Sequence, residues 1–239
     1  MRPDGRRPDE LRPVEIAAGY LKTAEGSALI TIGNTQVLCA ASVEQTVPPF
    51  LRNTGKGWVT AEYSMLPRAT ATRTAREVAK GRPSGRTHEI QRLIGRSLRS
   101  VIDLSILGER SIILDCDVLQ ADGGTRVASI TGAYVALALA IKQMLRYKAI
   151  SKSPLLGAVA AISVGMLNGE AILDLCYEED SRAEVDANIV MTDKGKFVEY
   201  QATAEHQSFD DDQMSNMTAL ARAGIAELIA IQKAVTDLG

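Results

Sequence analysis

Twice along this 239-residue chain, a block of short apolar strands gives way to helical periodicity. That order restricts the fold more than any single motif does. In the first block, residues 14–16, 28–33 and 36–43 read as strands, with Asn34-Thr35 as a turn. Pro48-Pro49 closes this unit, residues 50–57 form a loop, and 58–66 resume an extended pattern. Residues 67–86 show no periodicity and predict a long loop, a feature that tends to be functional inside a compact fold. Ile90, Leu93, Ile94, Leu98, Val101 and Ile102 then recur at intervals of three and four, which predicts a helix over about 88–103 with Thr87 as its N-cap. Residues 111–120 return to strand, 121–126 form a tight turn, and a long apolar helix runs to about Tyr147. In the second block, 158–167 and 170–176 flank the hairpin signal Asn168-Gly169, and 185–192 and 197–203 flank a second hairpin at 193–196. A last helix spans 209–237. Strand blocks that are each followed by helices predict an α+β fold with an internal pseudo-repeat, visible in element order only. No linker composition interrupts the chain, so 1–239 is expected to form a single domain.

Composition narrows the class. With 46% hydrophobic and 23% charged residues, the chain reads as soluble and globular. Cys39, Cys116 and Cys176 stand far apart without a C-x-x-C, which argues against a disulfide framework and for buried thiols in a reducing compartment. Two histidines, His88 and His206, are too few and too separated for a His-based zinc site. The N-terminus has no apolar stretch of the kind a signal peptide needs. The longest uncharged runs, 127–141 and 153–169, fall short of the roughly 20 residues of a membrane helix. The expected location is cytoplasmic, with no membrane partner. A net charge of −2 excludes a uniformly basic protein, but it averages two opposed segments. Residues 68–99 hold nine basic residues against two acidic ones, and residues 178–212 hold eleven acidic against three basic.

Four local patterns carry chemistry. Gln120-Ala-Asp-Gly-Gly-Thr-Arg126 lies between a strand and a helix. A helix start offers unpaired N–H groups and the positive end of the dipole. Gly123 and Gly124 permit close backbone approach, and Thr125 and Arg126 add donors, which together suit a phosphate. An ordinary strand-to-helix turn would read the same way. Ser84-Gly-Arg-Thr87 is a second loop entering a helix, with Arg86 beside it; the bland alternative is a solvated arginine near a cap. The basic segment is the third pattern, and eight of its nine basic residues are arginine, including Arg68, Arg73 and Arg76 in the loop. Arg92, Arg96 and Arg99 recur at i, i+4 and i+7 on one helical face, which fits an RNA or polyphosphate surface or a solvated face. The fourth pattern is acidic: Asp180 and Asp186 bracket a turn that could bring two carboxylates together. Paired hard oxygens are what Mg²⁺ or Mn²⁺ takes in phosphoryl transfer, and one carboxyl could instead act as general acid or base. A solvated acidic turn is the alternative. Taken together, two anion sites, a basic RNA surface and a carboxylate pair are the parts for phosphorolysis of a phosphodiester chain.

These residues carry a resemblance that covers nearly the whole chain. Arg2-Pro-Asp-Gly-Arg-Arg7, Gly57-Trp-Val-Thr-Ala-Glu-Tyr63, Met65-Leu-Pro-Arg-Ala69, Ser84-Gly-Arg-Thr87, the segment 89–99, Leu119–Arg126 and 179–186 all closely resemble the ribonuclease PH family of phosphate-dependent exoribonucleases. The resemblance implies a ribonuclease PH-type fold (ribosomal protein S5 domain 2-like), with two βαβα-like halves in one domain. It also implies a homohexameric ring built as a trimer of dimers. Arg86 matches the family's phosphate-binding arginine, and Gly124, Thr125 and Arg126 match its phosphate-binding turn. Asp180 and Asp186 match its catalytic, metal-associated aspartates, and Arg68, Arg73 and Arg76 match its tRNA-holding loop. The implied partners are tRNA precursors and other RNA 3′ ends, with inorganic phosphate as co-substrate and Mg²⁺ or Mn²⁺ as cofactor. The rival readings are an inactive RNA-gripping ring subunit and a hydrolytic metal nuclease. The first would lack the arginine and aspartate positions present here, and the second would need more carboxylates or histidines. The family commonly has Gln-Gly-Thr-Ala-Glu-Gly where this chain has Gln201-Ala-Thr-Ala-Glu-His206, and a polar or acidic residue where it has Cys176.

Overall fold

Alternating burial builds the first sheet. Strand β3 (Thr35–Glu44) buries Thr35, Val37, Cys39 and Ala41 and leaves the residues between them half-covered, the period at which a pleated strand turns one face to a core. In the computed structural model, which describes residues 2–205 and 208–236, β3 pairs with β2 (Gly26–Ile32) and β5 (Ser111–Gln120) in a five-stranded sheet. Its order is β1-β2-β3-β5-β4, with β1 spanning Val14–Ala18 and β4 spanning Trp58–Met65. All pairs are antiparallel except β4 with β5. A parallel pair needs a crossover, and helices α1 (Gly85–Arg99) and α2 (Leu104–Leu107) supply it.

The second sheet is antiparallel throughout, in the order β7-β6-β8-β9. Its strands are β6 (Val159–Leu167), β7 (Glu170–Leu173), β8 (Val185–Thr192) and β9 (Phe197–Ala204). Asn168 and Gly169 turn the β6–β7 hairpin at φ 51° and 75°, the conformation that the Asn-Gly pair predicts.

Helix α3 (Thr125–Arg146) lies between the sheets, against β2 and β3 on one side and β6 on the other. Helix α5 (Asp211–Thr236) packs on β6, β7 and β1, and α1 packs on β4. Because two sheets cover α3, 15 of its 22 residues are buried, and its apolar surface runs around the whole helix instead of along one stripe. Contact with β2 is close: a Cβ on Gly26 would fall 2.1 Å from the Ala136 carbonyl oxygen. A single apolar cluster extends across both sheets. Gln232 of α5 crosses this layer, its amide donating to the carbonyls of Thr131 (2.9 Å) and Val159 (3.0 Å).

Several elements depart from the sequence reading. By length and apolarity α3 could cross a bilayer, with a mean hydropathy of 1.4, although the uncharged run inside it fell short. Within that stretch 83% is buried in the protein, so the apolarity serves the core. Helix α1 begins at Gly85, and its N-cap is Ser84, whose hydroxyl accepts from the Thr87 N–H. Strand β7 stops at Leu173 because Asp174 turns to φ 56°. A one-turn helix, α4 (Tyr177–Asp180), fills what read as a plain turn. All three cysteines are buried, and Cys39 and Cys116 are cross-strand partners. His206 lies outside the described residues.

Candidate active site

The turn before α3 carries the clearest anion-binding geometry. Gly123 and Gly124 both adopt positive φ (74° and 67°), and no side chain caps the helix. The first N–H groups of α3 therefore point outward at the positive end of a 22-residue dipole. Buried Thr35 fixes the turn by donating its hydroxyl to the Gly123 carbonyl (2.7 Å) and accepting from the Asp122 N–H (2.9 Å). Gly123 presses on the segment ahead of α4: a Cβ there would lie 2.6 Å from the Leu175 carbonyl oxygen. Gly123→Ala is therefore expected to push that segment away and lower the activity of the site at least tenfold. Activity within twofold of wild type would show that the contact is dispensable.

Arg126, one residue into α3, is held between the Glu89 carboxylate of α1 (3.2 Å) and the Gln201 side-chain oxygen of β9 (3.2 Å). Arg86 occupies the first turn of α1 and is exposed. Glu77 pins this entry by accepting from the Ser84 N–H (3.1 Å) and the Thr87 hydroxyl (2.8 Å). The two helix starts face one centre. Arg86 and Arg126 both act on the Asp180 carboxyl and on the Tyr63 phenol.

Asp180 ends α4, and Asp186 is the second residue of β8, paired across to Gly165 and Thr203. The structure thus brings the two predicted aspartates together. Burial pushes the Asp180 carboxyl up, the Asp186 charge adds to that, and the two arginines oppose it. Burial and the charge of Glu205 push Asp186 up as well. Its Oδ1 is enclosed without a hydrogen-bond partner. An orphaned carboxylate oxygen beside a second carboxylate is the donor chemistry of a hard divalent cation. Among the described residues no three His, Cys, Asp or Glu side chains gather as a ligand set. A Mg²⁺-like ion commonly takes one or two carboxylates and completes its shell with water and phosphate oxygens.

Sequence reasoning missed two features of this site. The first is Tyr63 on β4, whose hydroxyl lies 2.8 Å from the Thr125 Oγ1. The second is an N-terminal arginine clamp. Arg2 grips Glu179 with two bonds (2.7 and 2.9 Å). Arg12 grips Asp174 (2.7 and 2.9 Å) and also donates to the Asp122 carbonyl. Arg6 adds a further bond to Asp174 (3.2 Å). The Asp174 and Glu179 side chains are fully buried. Arg12 thereby ties the glycine turn to the segment leading into α4, and the Tyr177 N–H donates to Asp122 Oδ1 (3.3 Å) across the same junction. Cys176 is the N-cap of α4, its N–H donating to Glu179 (3.0 Å). The only sequence signal was four arginines within the first twelve residues, where no periodic element was visible.

The arginine surface divides. Arg68, Arg73 and Arg76 are exposed on the connection from β4 to α1. Arg92 is also exposed, and Arg96 pairs with Glu199 of β9 (2.7 Å). Arg99 departs from the expected RNA-facing row. It is half-buried over the Trp58 ring (4.3 Å) and donates to the Val59 carbonyl (2.7 Å), which commits it to β4. Between α1 and β9 runs a groove of about 400 Å³, lined by His88, Arg92, Arg96 and Gln201 among others. It opens beside Arg126, which bonds Gln201.

Comparison with known proteins places the chain in a family. Residues 10–143 match the model of the 3′ exoribonuclease family, domain 1, and residues 157–224 match domain 2 of the same family. Ribonuclease PH of Solibacter usitatus (strain Ellin6076) is 68% identical over 237 residues, covering 99% of this chain and 100% of the relative. Ribonuclease PH of Moorella thermoacetica is 60% identical over 235 residues, covering 98% and 94%. Among solved structures, rice Rrp46 superposes with a TM-score of 0.80 at 21% identity, covering 99% of this chain and 100% of that one. An Archaeoglobus fulgidus exosome with RNA bound to the active site gives 0.81 at 23% identity, covering 95% and 91%. At these identities the solved structures show the shared fold.

Proposed function

Because the chain belongs to the ribonuclease PH branch of the 3′ exoribonuclease family, we propose that phosphorolysis takes place where the starts of α1 and α3 face Asp180 and Asp186. The protein is a phosphate-dependent 3′→5′ exoribonuclease that acts on tRNA. Inorganic phosphate binds at the uncapped start of α3, between Arg126, Thr125 and the backbone of Gly124 on one side and Arg86 on the other. The helix dipole and two guanidinium groups hold its charge in place without reorganising during the reaction. A phosphate oxygen attacks the phosphorus of the last phosphodiester. The bond to the penultimate 3′ oxygen breaks, and that oxygen takes a proton. The terminal nucleotide leaves as a nucleoside 5′-diphosphate. Asp180 and Asp186 have carboxyls shifted upward by burial and neighbouring charge, which suits one of them to hold the proton for the leaving oxygen. The same two side chains would hold Mg²⁺ or Mn²⁺, and the ion, when bound, neutralises charge on the phosphoryl oxygens. The groove beside α1, with Arg92 and Arg96, leads the RNA backbone to this point, and the exposed Arg68, Arg73 and Arg76 hold the tRNA body away from it.

The observation that carries this reading is the glycine-capped start of α3, which turns free N–H groups and Arg126 toward the arginine and aspartates of three other elements. The test is trimming of a tRNA precursor with and without phosphate. Diphosphates released only with phosphate are expected; monophosphates released regardless of phosphate would refute the reading. Arg86→Ala is expected to raise the KM for phosphate at least tenfold, as loss of a charge-assisted contact does. We also propose a homohexameric ring of three dimers. Light scattering checks this, and a monomer at working concentration refutes it.

A further inference from the structure

Tyr63 has no part in the chemistry above, yet its side chain ends inside that site. Strand β4 alternates, and Val59, Ala61 and Tyr63 are buried toward the helices. Tyr63 is the last of the three, level with Cys116 of β5, and so lies toward the strand end nearest the start of α3. Only 5% of the residue is exposed. Its hydroxyl reaches Thr125 Oγ1 at 2.8 Å, with either oxygen free to donate. Burial pushes the phenol up, against the pull of Arg86 and Arg126, so the group stays protonated and can donate near neutral pH.

We infer that Tyr63 is a positioning residue for the phosphate co-substrate, acting through Thr125 as the first donor of a two-hydroxyl relay. The inference rests on phosphate binding at the α3 turn, as argued above. A phosphate dianion bound there offers acceptors, so the Thr125 hydroxyl must donate outward to it. The Thr125 oxygen is then left as the acceptor for the Tyr63 O–H, and the direction of the relay is fixed: Tyr63 to Thr125 to phosphate. Aligned hydroxyls polarise one another, which strengthens the outer bond. Without the phenol, the Thr125 hydroxyl can rotate toward other acceptors. A tyrosine that served packing alone would lose nothing on exchange for phenylalanine, because the ring remains.

Steady-state kinetics of Tyr63→Phe, Thr125→Val and the double variant test this on the full-length enzyme, with phosphate binding by calorimetry as a second readout. Tyr63→Phe is expected to raise the KM and Kd for phosphate about fivefold, with kcat within about twofold and the KM for RNA unchanged. Thr125→Val is expected to raise the phosphate KM at least as much. The double variant should match Thr125→Val alone, since the relay is already cut. If Thr125→Val weakens phosphate and Tyr63→Phe does not, the relay is wrong and the phosphate site stands. An added loss from Tyr63→Phe on the Thr125→Val background would also overturn the relay, since Tyr63 would then act independently. If Thr125→Val leaves phosphate affinity unchanged, the phosphate site and the relay fall together.

Discussion

Replacing Asp186 by asparagine is expected to lower kcat for phosphorolysis by about 10²–10⁴-fold and, at the same time, to raise the melting temperature of the protein. Both effects follow from one geometry. Asp186 holds a carboxylate oxygen enclosed without a hydrogen-bond partner, close to the charges of Asp180 and Glu205. An unpaired buried acceptor and like-charge repulsion both oppose folding. On the proposed mechanism the reaction uses them, and such strain gathers at functional sites and is relieved by inactivating substitutions. Asparagine keeps the shape, removes the repulsion and removes one of the two carboxyls that the proposed mechanism gives to the proton and the metal. Calorimetric Mn²⁺ binding should weaken in the same variant, and the phosphate Kd should not, because the proposed phosphate contacts lie on α1 and α3. A variant that loses activity and melts earlier would instead mark Asp186 as a structural residue.

The opposite sign is expected for Asp174→Ala. This carboxylate is fully buried and receives Arg12 through two side-chain bonds and its own N–H, with a further bond from Arg6. Removing it leaves the Arg12 guanidinium with little access to water and without its buried counter-ion, while Arg6 keeps Asp4 and Glu179. Breaking a buried pair in this way costs about 3–5 kcal/mol. For a chain of this size that lowers the melting temperature by roughly 6–20 °C. Arg7–Asp9 is the internal control, because both side chains are largely exposed (74% and 61%). Asp9→Ala should leave stability nearly unchanged, as exposed pairs do. Scanning calorimetry of the two variants decides the matter; similar melting points would mean that the clamp contributes nothing net. Asp174→Ala should also weaken phosphate binding, since Arg12 links that carboxylate to the turn at Asp122.

Residues whose role depends on their immediate neighbours in the chain were legible from the sequence. The glycine turn at 122–126 announced itself because glycine, threonine and arginine at a helix start form a local pattern that suits an anion. Arg86 was legible for the same reason. The pair Asp180 and Asp186 was legible because only a short turn separates them, although the turn itself is shortened by α4. Strand blocks and helices followed from periods of two and of three to four, so element order and fold class were set before any contact was known. Periodicity misled at Arg99: the helical repeat puts it in line with Arg92 and Arg96, and the Trp58 ring on the neighbouring strand takes it out of that row.

What the sequence alone determined, then, is the set of local parts: two loop-to-helix turns beside arginines, a carboxylate pair, a basic segment and the strands and helices that carry them. Tertiary structure decided their convergence. Arg86, Thr125 and Asp180 meet because α3 is held between two sheets, with α1 beside it and α4 against the glycine turn. Tertiary structure also decided the second rank of the site. Tyr63 reads in the sequence as one more aromatic in a buried strand, and its partner Thr125 is 62 positions away. Arg2 and Glu179 are separated by 177. The physical reason is one of range. Backbone periodicity and helix-end electrostatics act within a few residues and leave a trace in the local pattern. A hydrogen bond or ion pair between distant residues leaves none, because its geometry exists only after the apolar core has closed.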